Sequence, residues 1–379
     1  MSGSPRHAVA VLSGYNTRAV IAFCRWAAAH EVPFFLIARD ATDPILLTDY
    51  KDRVLTVRQD SRLSVEVFQS WIETIRARDK FDRVLILPTT EFLNRFLLRN
   101  RTELEGSGCT IPLTEEHLYL SISDKESFTD TCRSFGLDVP HQYDRRPSAF
   151  PFVAKPSRYS TEDGRQLAPH LILSQSDLDH FLDTESVGDF FFQEYVSGRS
   201  IYLLAYRTRS GDVSTYSQEN LMQQAAGKSI VLAERSKFHQ SEMAEKFVRM
   251  LQKTGFFGLI MIELRCSQEL ERCYVIEANP RLWGPIQLIV DNNIDFFRLM
   301  LEDHGLGIAV DRSPISGKGD YYFWSGGLTS AASPIAYHNF SEDLFHSLRD
   351  KIAKFDLYRR PDTYDLYQQE SEARGSYDT

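Results

Sequence analysis

The sequence predicts an α/β unit built on a parallel sheet, followed by an α+β region. Two observations carry this. Early in the chain, short apolar runs alternate with segments of helical spacing, the pattern of a parallel sheet with helices on its faces. Further on, strand-like runs arrive in pairs, at 189–206 and 258–280, each broken by a short polar turn. With 379 residues, 42% hydrophobic and 25% charged, two or three domains of ordinary globular character are expected.

The first strand is AVAVL (8–12), followed by the turn SGYN and a helix in which Ala19, Phe23, Trp26 and Ala27 share a stripe. VPFFLIA (32–38) and RVLTV (53–57) are the next strands, then a helix over 64–77 and the strand RVLILP (83–88). A ligand of such a unit sits at the carboxyl ends of its strands. Only Gly14 follows the first strand. Although Asp40 ends the second, the glycine fingerprint of a dinucleotide site is missing, so a nicotinamide enzyme is not expected. SISDKESFTDTCRSFGLDVP (121–140) reads as a helix with a Ser123–Glu126 capping box, a Phe128–Cys132–Phe135 stripe and a stop at Gly136. FPFVAKPSRYSTEDGR (150–165) is a short strand running into a polar loop, and 189–206 is two strands about Ser197-Gly198. SEMAEKFVRMLQKTG (241–255) is a helix capped by Ser241, with Ala244, Phe247, Val248 and Leu251 inward and Gly255 as its stop. The tail from Tyr364 is polar and is expected to be disordered.

The net charge of −9 argues against a nucleic-acid partner. No apolar stretch approaches the length of a membrane span, and the run His7–Leu12 is too short for a signal peptide. The five cysteines (24, 109, 132, 266 and 273) are odd in number and contain no C-x-x-C pair. Neither a disulfide framework nor a zinc site is expected; reduced cysteines and a cytoplasmic location are.

The chemistry concentrates in GLIMIELRC (258–266) and CYVIEANP (273–280). Side chains alternate across a strand, so Met261, Glu263 and Arg265 share one face, while Glu277 and Asn279 oppose Ile276 and Ala278. A hairpin symmetric about Glu269-Leu270-Glu271 sets Glu263 opposite Glu277. Like charges so placed repel. A divalent cation between them relieves the repulsion, with Asn279 as a neutral ligand, and the all-oxygen set suits Mg²⁺ or Mn²⁺. The alternative is a solvated face on which Glu263 pairs with Arg265 or Arg281.

GLIMIELR with YVIEANPRLWG resembles the metal-binding hairpin of ATP-grasp enzymes. ISDKESF, FVAKPS and FFQEYVSG, in that order, resemble that family's helix start, phosphate-lysine strand and adenine linker. The resemblance covers residues 120 to 300. It implies an N-terminal pre-ATP-grasp-like domain (1–117), a central ATP-binding lobe (118–195) and a C-terminal ATP-grasp lobe with the hairpin and an extension (196–379). It implies that Glu263, Glu277 and Asn279 hold the metal, that Lys125 and Lys155 contact ATP phosphates, and that Arg281 and Lys155 serve catalysis. Gln193, Glu194, Tyr195 and Val196 would form the adenine site, with Glu194 accepting from the amino group. Taken without the resemblance, Lys125 is an exposed helix-start charge and Lys155 a solvated strand end.

The sequence departs from the family twice. Arg199, Ser200 and Tyr202 stand where an acid often meets the ribose, and the loop SRYSTEDGR has only Gly164. QQAAGKSI (223–230) sits where a substrate-facing loop is common, with Lys228 read as solvated. YYFWSGGLTSAA (321–332) is read as aromatic core or pocket lining. The implied activity is an ADP-forming carboxylate–amine ligase acting on small-molecule carboxylate and amine substrates, the carboxylate being an amino acid or a related acid. A bicarbonate- or carbamate-type reaction and a nucleotide sensor without turnover are the alternatives. A homodimer is expected from the resemblance alone.

Overall fold

The structure is a computed structural model describing residues 6–60, 62–161, 164–307, 319–328 and 335–375. The first strand, β1 (His7–Leu12), is apolar on both faces: Ala8, Ala10 and Leu12 enter one core cluster, Val9 and Val11 another. A strand buried on both sides needs cover on both. α1 (Thr17–Ala29) covers one, burying Ala19, Phe23, Trp26 and Ala27 as their spacing predicts. After β2 (Phe34–Ala38) and β3 (Val54–Val57), α2 (Val65–Asp79) covers the other with Phe68, Ile72 and Ile75. β4 (Arg83–Ile86), α3 (Glu91–Arg99), α4 (Arg101–Gly106) and β5 (Cys109–Thr110) complete a parallel sheet in the order β3-β2-β1-β4-β5. The Ser64 and Thr90 hydroxyls accept from the Val67 and Leu93 N–H groups, capping α2 and α3.

α5 (Glu116–Ser123) and α6 (Lys125–Ser134) lead out of this unit. The expected Ser123–Glu126 capping box does not form, because Ser123 is the last residue of α5 and Asp124 takes the cap position. Arg95 of α3 engages both instead, donating to Ser123 Oγ at 3.1 Å and Asp124 Oδ1 at 2.6 Å. A competing cation from another element is thus what displaces the local cap.

β6 (Gln142–Tyr143), β7 (Phe152–Pro156), β8 (His170–Ile172) and, after α7 (Gln175–Thr184), β9 (Phe190–Glu194) form an antiparallel sheet ordered β6-β9-β7-β8. Phe152, Ala154, Phe190 and Phe192 pack on Leu178 and Phe181 of α7. By alternation the opposite face carries Val153, Lys155, Phe191 and Gln193, and register pairs Val153 with Gln193 and Lys155 with Phe191.

The last sheet is antiparallel and larger. It takes β10 (Arg199–Arg207), β11 (Val213–Gln224), β12 (Ile230–Arg235) and, after α8 (Glu242–Thr254), β13 (Gly258–Cys266) and β14 (Cys273–Asn279). α9 (Gln287–Asp291) and α10 (Phe296–Asp303) precede β15 (Tyr321–Phe323) and β16 (Ile335–Tyr337). The order is β14-β13-β10-β11-β12-β15, with β16 on β11. α8 buries Ala244, Phe247, Met250 and Leu251; Met250 faces the core in place of the expected Val248, which is half-buried. Gly198, between β9 and β10, has φ 136°, and a Cβ there would lie 2.3 Å from the Cys266 carbonyl oxygen. Only glycine fits this crossing from one sheet to the next. Cys266 and Cys273, facing each other across β13 and β14, are disulfide-bonded, against the expectation of reduced cysteines. Cross-strand opposition brings them together, which spacing alone does not reveal.

α11 (Glu342–Ile352) and α12 (Tyr364–Gly375) end the chain; the polar tail expected to be disordered is helical from Tyr364. Residues 329–332 of the aromatic-then-small segment lie outside those described. The tail is tied down by charge. Asp362 accepts from Arg25 Nε of α1 at 2.7 Å and from Tyr50 Oη at 2.8 Å. Arg25 also donates to Gln287 Oε1, and Arg360 donates two parallel hydrogen bonds to the Asp291 carboxylate of α9. Among the described residues no helix is long and apolar enough to cross a membrane.

Asp362→Asn leaves the nearly buried Arg25 without its counter-charge and is expected to lower stability by about 2–4 kcal/mol at neutral pH. Burial pushes the Asp362 carboxyl up, but Arg25 and Tyr50 outweigh it and hold it below the ordinary 3.8. Its contribution is therefore complete above that value and is lost as pH falls through the lower folded value. Urea unfolding of both proteins should show the difference at pH 7 and its shrinkage below about pH 4.

Candidate functional site

The site is organised by one irregularity in the β13–β14 hairpin. Near the turn, Cys266, Arg265 and Leu264 face Cys273, Tyr274 and Val275; beyond it, Glu263, Ile262 and Met261 face Glu277, Ala278 and Asn279. Ile276 is the surplus residue, a β-bulge. The expected opposition of Glu263 and Glu277 is therefore present, but by a turn offset by one residue and a bulge that restores it. The bulge also alters the face assignment. Val275 and Ala278 enter the core, while Ile276, expected beside Ala278, is half-buried and outside it.

The bulge frees a main-chain carbonyl. Lys155 of β7, only 5% exposed, donates from Nζ to Ile276 O at 2.7 Å. Burial, and next the nearby Lys125, lower its ammonium from 10.5 to about 8 despite the two glutamates. Lys155 is thus no solvated strand end. Lys125, at the start of α6, lies 3.2 Å from Glu277 Oε2 and is not an isolated surface charge.

Each carboxylate has its own partners. Glu277 Oε1 accepts from Asn279 Nδ2 at 2.8 Å, and Glu263 pairs with Arg265 at 3.0 Å. That pair is buried, not solvated. Burial raises both carboxyls, but Lys125, the Asn279 amide and Lys155 bring Glu277 down to about 2. Burial and the repulsion of Glu277 keep Glu263 above its usual range, against the pull of Arg265. Arg281 donates to Asn279 Oδ1 at 3.2 Å and to Leu282 O at 3.1 Å. Lys125, Lys155, Arg265 and Arg281 thus surround two carboxylates, an excess of positive charge that favours an anionic ligand.

Among the described residues no group of three or more His, Cys, Asp or Glu side chains could hold a metal. Two facing carboxylates and an amide are still what Mg²⁺ uses when phosphate oxygens complete its shell. The donors fit an ion that arrives with phosphates, not one held by protein alone. Asn279 must first turn its oxygen from Arg281.

Gln193 lies on the Lys155 face, is fully buried, and neither its Oε1 nor its Nε2 has a partner. An amide so placed costs about 1–3 kcal/mol until something bonds it. Glu194 is on the opposite face by alternation, and its carboxylate accepts from the His141 N–H at 3.4 Å. The structure does not bring that carboxylate to the lysines. Tyr195 is exposed and Val196 half-buried in the irregular link to β10. Arg199 is occupied by Glu219 and Gln268 O. Lys228 is exposed, as expected, and Trp283 is 1% exposed in the core.

Several participants escaped the sequence reading. Ser200 Oγ accepts from Arg265 and from Asn220 Nδ2, and Gln218 Nε2 donates to Asn220 Oδ1 at 2.7 Å. This polar row begins beside Glu263 and crosses β10 and β11. β11 itself went unrecognised because Ser217, Gln218, Asn220 and Gln223 are buried polar residues, which hide the alternation. The loop after β7 reaches the N-terminal unit, where the Arg95 guanidinium lies 4.7 Å from the Tyr159 ring. Glu162 and Asp163 of that loop lie outside the described residues. A cleft of about 690 Å³, bordered by Glu126, Asp130, Arg145 and Phe191, opens between α6 and the β6 edge. It does not reach the hairpin glutamates, where Lys155 is bonded directly to Ile276 O.

Gln193→Leu removes both unpartnered polar atoms at similar volume. The free protein is expected to gain about 1–3 kcal/mol in urea unfolding. A loss of stability would show the amide to be satisfied within the protein.

No family model and no curated protein sequence matches the chain. Solved structures do. Biotin carboxylase from Campylobacter jejuni, solved with β,γ-ATP, matches over 79% of this chain and 71% of its own at TM-score 0.56 and 13% identity. L-amino acid ligase from Bacillus licheniformis matches over 80% and 75% at TM-score 0.57 and 14% identity. N5-carboxyaminoimidazole ribonucleotide synthetase from Thermotoga maritima matches over 80% and 77% at TM-score 0.51 and 15% identity. These are ATP-grasp enzymes, and their arrangement of a parallel-sheet unit before antiparallel lobes is the one described above. The chain has the ATP-grasp fold.

Proposed function

We propose that this protein is an ATP-dependent, ADP-forming ligase that joins a small carboxylate, an amino acid or related acid, to an amine. The observation that carries the proposal is the meeting of Lys125, Lys155 and Arg265 on the opposed Glu263 and Glu277, with Arg281 on the adjoining Asn279. Titratable groups perturbed by burial and by one another cluster at functional sites. Phosphoryl transfer to a carboxylate needs such cations, because it brings two anions together.

In this reading Lys155 leaves the Ile276 carbonyl for the ATP phosphates, and Lys125 neutralises them from the other side. Gln193, with the backbone of Glu194, Tyr195 and Val196, bonds the adenine edge. Glu263, Glu277 and Asn279 would hold Mg²⁺ or Mn²⁺, which when bound screens the phosphate charge. Arg281 holds the substrate carboxylate while its oxygen attacks the γ-phosphorus and ADP departs. The acyl phosphate then stays at Arg281 until the amine nitrogen attacks its carbonyl carbon. Phosphate leaves, and the nitrogen loses a proton.

A bicarbonate-type reaction is the second reading, favoured by the neighbouring 2-oxoglutarate carboxylase domain solved with MgADP and bicarbonate. ADP release with single acids, amines and bicarbonate separates the two. Glu277→Gln is expected to lower ADP release by at least about a hundredfold with the fold intact by circular dichroism; an active variant would remove Glu277 from the site. ATP affinity by calorimetry should fall as pH rises through about 8, where Lys155 loses its proton. In Lys155→Ala affinity should be weak at every pH; unchanged affinity contradicts the role.

A further inference from the structure

The guanidinium of Arg18, in the first turn of α1, differs from most internal arginines of this protein. Arg25, Arg95, Arg265 and Arg360 each face a carboxylate. Half-buried Arg18 makes no ion pair among the described residues. Its bonds go to neutral oxygens: Nη1 to Ile230 O at 3.1 Å and Tyr322 Oη at 3.4 Å, and Nη2 to Ser229 Oγ at 2.8 Å. These three leave further N–H donors of the guanidinium. The indole of Trp324 lies 4.2 Å from its Cζ, and Trp324 Nε1 donates to Glu370 Oε2 of α12 at 3.1 Å. The group is held in place on several sides with no carboxylate in direct contact among the described residues, although Glu370 and Asp356 lie near enough to act on the same tyrosine, Tyr322.

Its position is set by the segment that follows Arg281. A Cβ at Gly284 would come within 3.1 Å of Arg18 Nη2, so glycine there makes room for the guanidinium. Asn16, two residues earlier, donates to Leu282 O and to Thr89 O, locking this turn to the same segment and to the carboxyl end of β4. Arg281 also lacks a carboxylate partner among the described residues. Two guanidinium groups without a directly bonded carboxylate among the described residues therefore flank Leu282–Gly284, and three residues of chain span at most about 11 Å. One planar cation ringed by hydroxyls and an indole matches one carboxylate; a phosphate dianion would call for more charge.

Resting on the ligase reading above, we propose that Arg18 binds the free carboxylate of the amine-bearing substrate, which makes that substrate an α-amino acid or a peptide. The nitrogen meets the acyl carbon at Arg281, and the substrate's own carboxylate lies at Arg18. β15, Trp324 and α12 have a function in this arrangement: they build the wall that holds Arg18.

The test is calorimetric titration of the full chain, with ADP and Mg²⁺ present, by the proteinogenic amino acids and by their C-terminal amides. At least one amino acid should bind, with its amide at least about tenfold weaker. Arg18→Gln should weaken that amino acid by about tenfold and leave the amide unchanged. Arg18→Lys should restore part of the difference. If Arg18→Gln does not fold, Arg18→Lys decides: it should weaken the acid and leave the amide unchanged, whereas an acid–amide preference in the wild type alone would follow equally from a carboxylate held at Arg281. Equal binding of acids and amides, no amino acid binding, or equal weakening of both by Arg18→Gln overturns the assignment. ADP release in the same samples judges the ligase separately. Selective binding with no ADP release from any acid sinks only the ligase reading, and ADP release without selectivity sinks only the role of Arg18.

Discussion

Two carboxylates held opposite each other in a buried strand pair are the constraint around which this molecule is arranged. Glu263 and Glu277 cannot both be charged in that position without cations close by. The cations come from separate parts of the chain: Lys125 from the helix leaving the N-terminal unit, Lys155 from the small sheet, Arg265 from the hairpin, Arg281 from just beyond it. Packing of the three sheets is thereby coupled to charge balance at one point. The two glutamates respond unequally to these cations: Glu263 is held above its usual range and Glu277 below.

Much of this was legible in the sequence because it depends on local period. The continuous apolar runs of β1, β2 and β4, the stripe of α1 and the cap of α8 follow from residue spacing. The Glu263–Glu277 opposition was legible too, although its mechanism was not: a symmetric turn and an offset turn with a bulge give the same pairing. Features set by distant partners were hidden. Arg95 displaces the cap expected of Ser123, and Asp362 of the C-terminal segment meets Arg25 more than three hundred residues away. β11 was hidden for another reason, since its buried positions carry amides and hydroxyls, which read as loop. Glu194 shows the limit of carrying a role across by motif. The motif places the residue, but alternation along β9 turns its carboxylate to the face away from Lys155.

The match to solved structures at 13–15% identity is consistent with this division. Patterning and layer order survive such divergence, because many residues satisfy an apolar position. In this chain a polar row through Ser200, Asn220 and Gln218 and a C-terminal segment pinned by Arg25 and Arg360 accompany that frame.

The bond between Lys155 and Ile276 has an implication for how this chain can vary. Its acceptor is peptide oxygen, which every amino acid possesses. Exchanging the side chain at position 276 therefore leaves the resting contact in place, whereas deleting one residue of the strand would erase it. Residue identity is free to change there; backbone count is not.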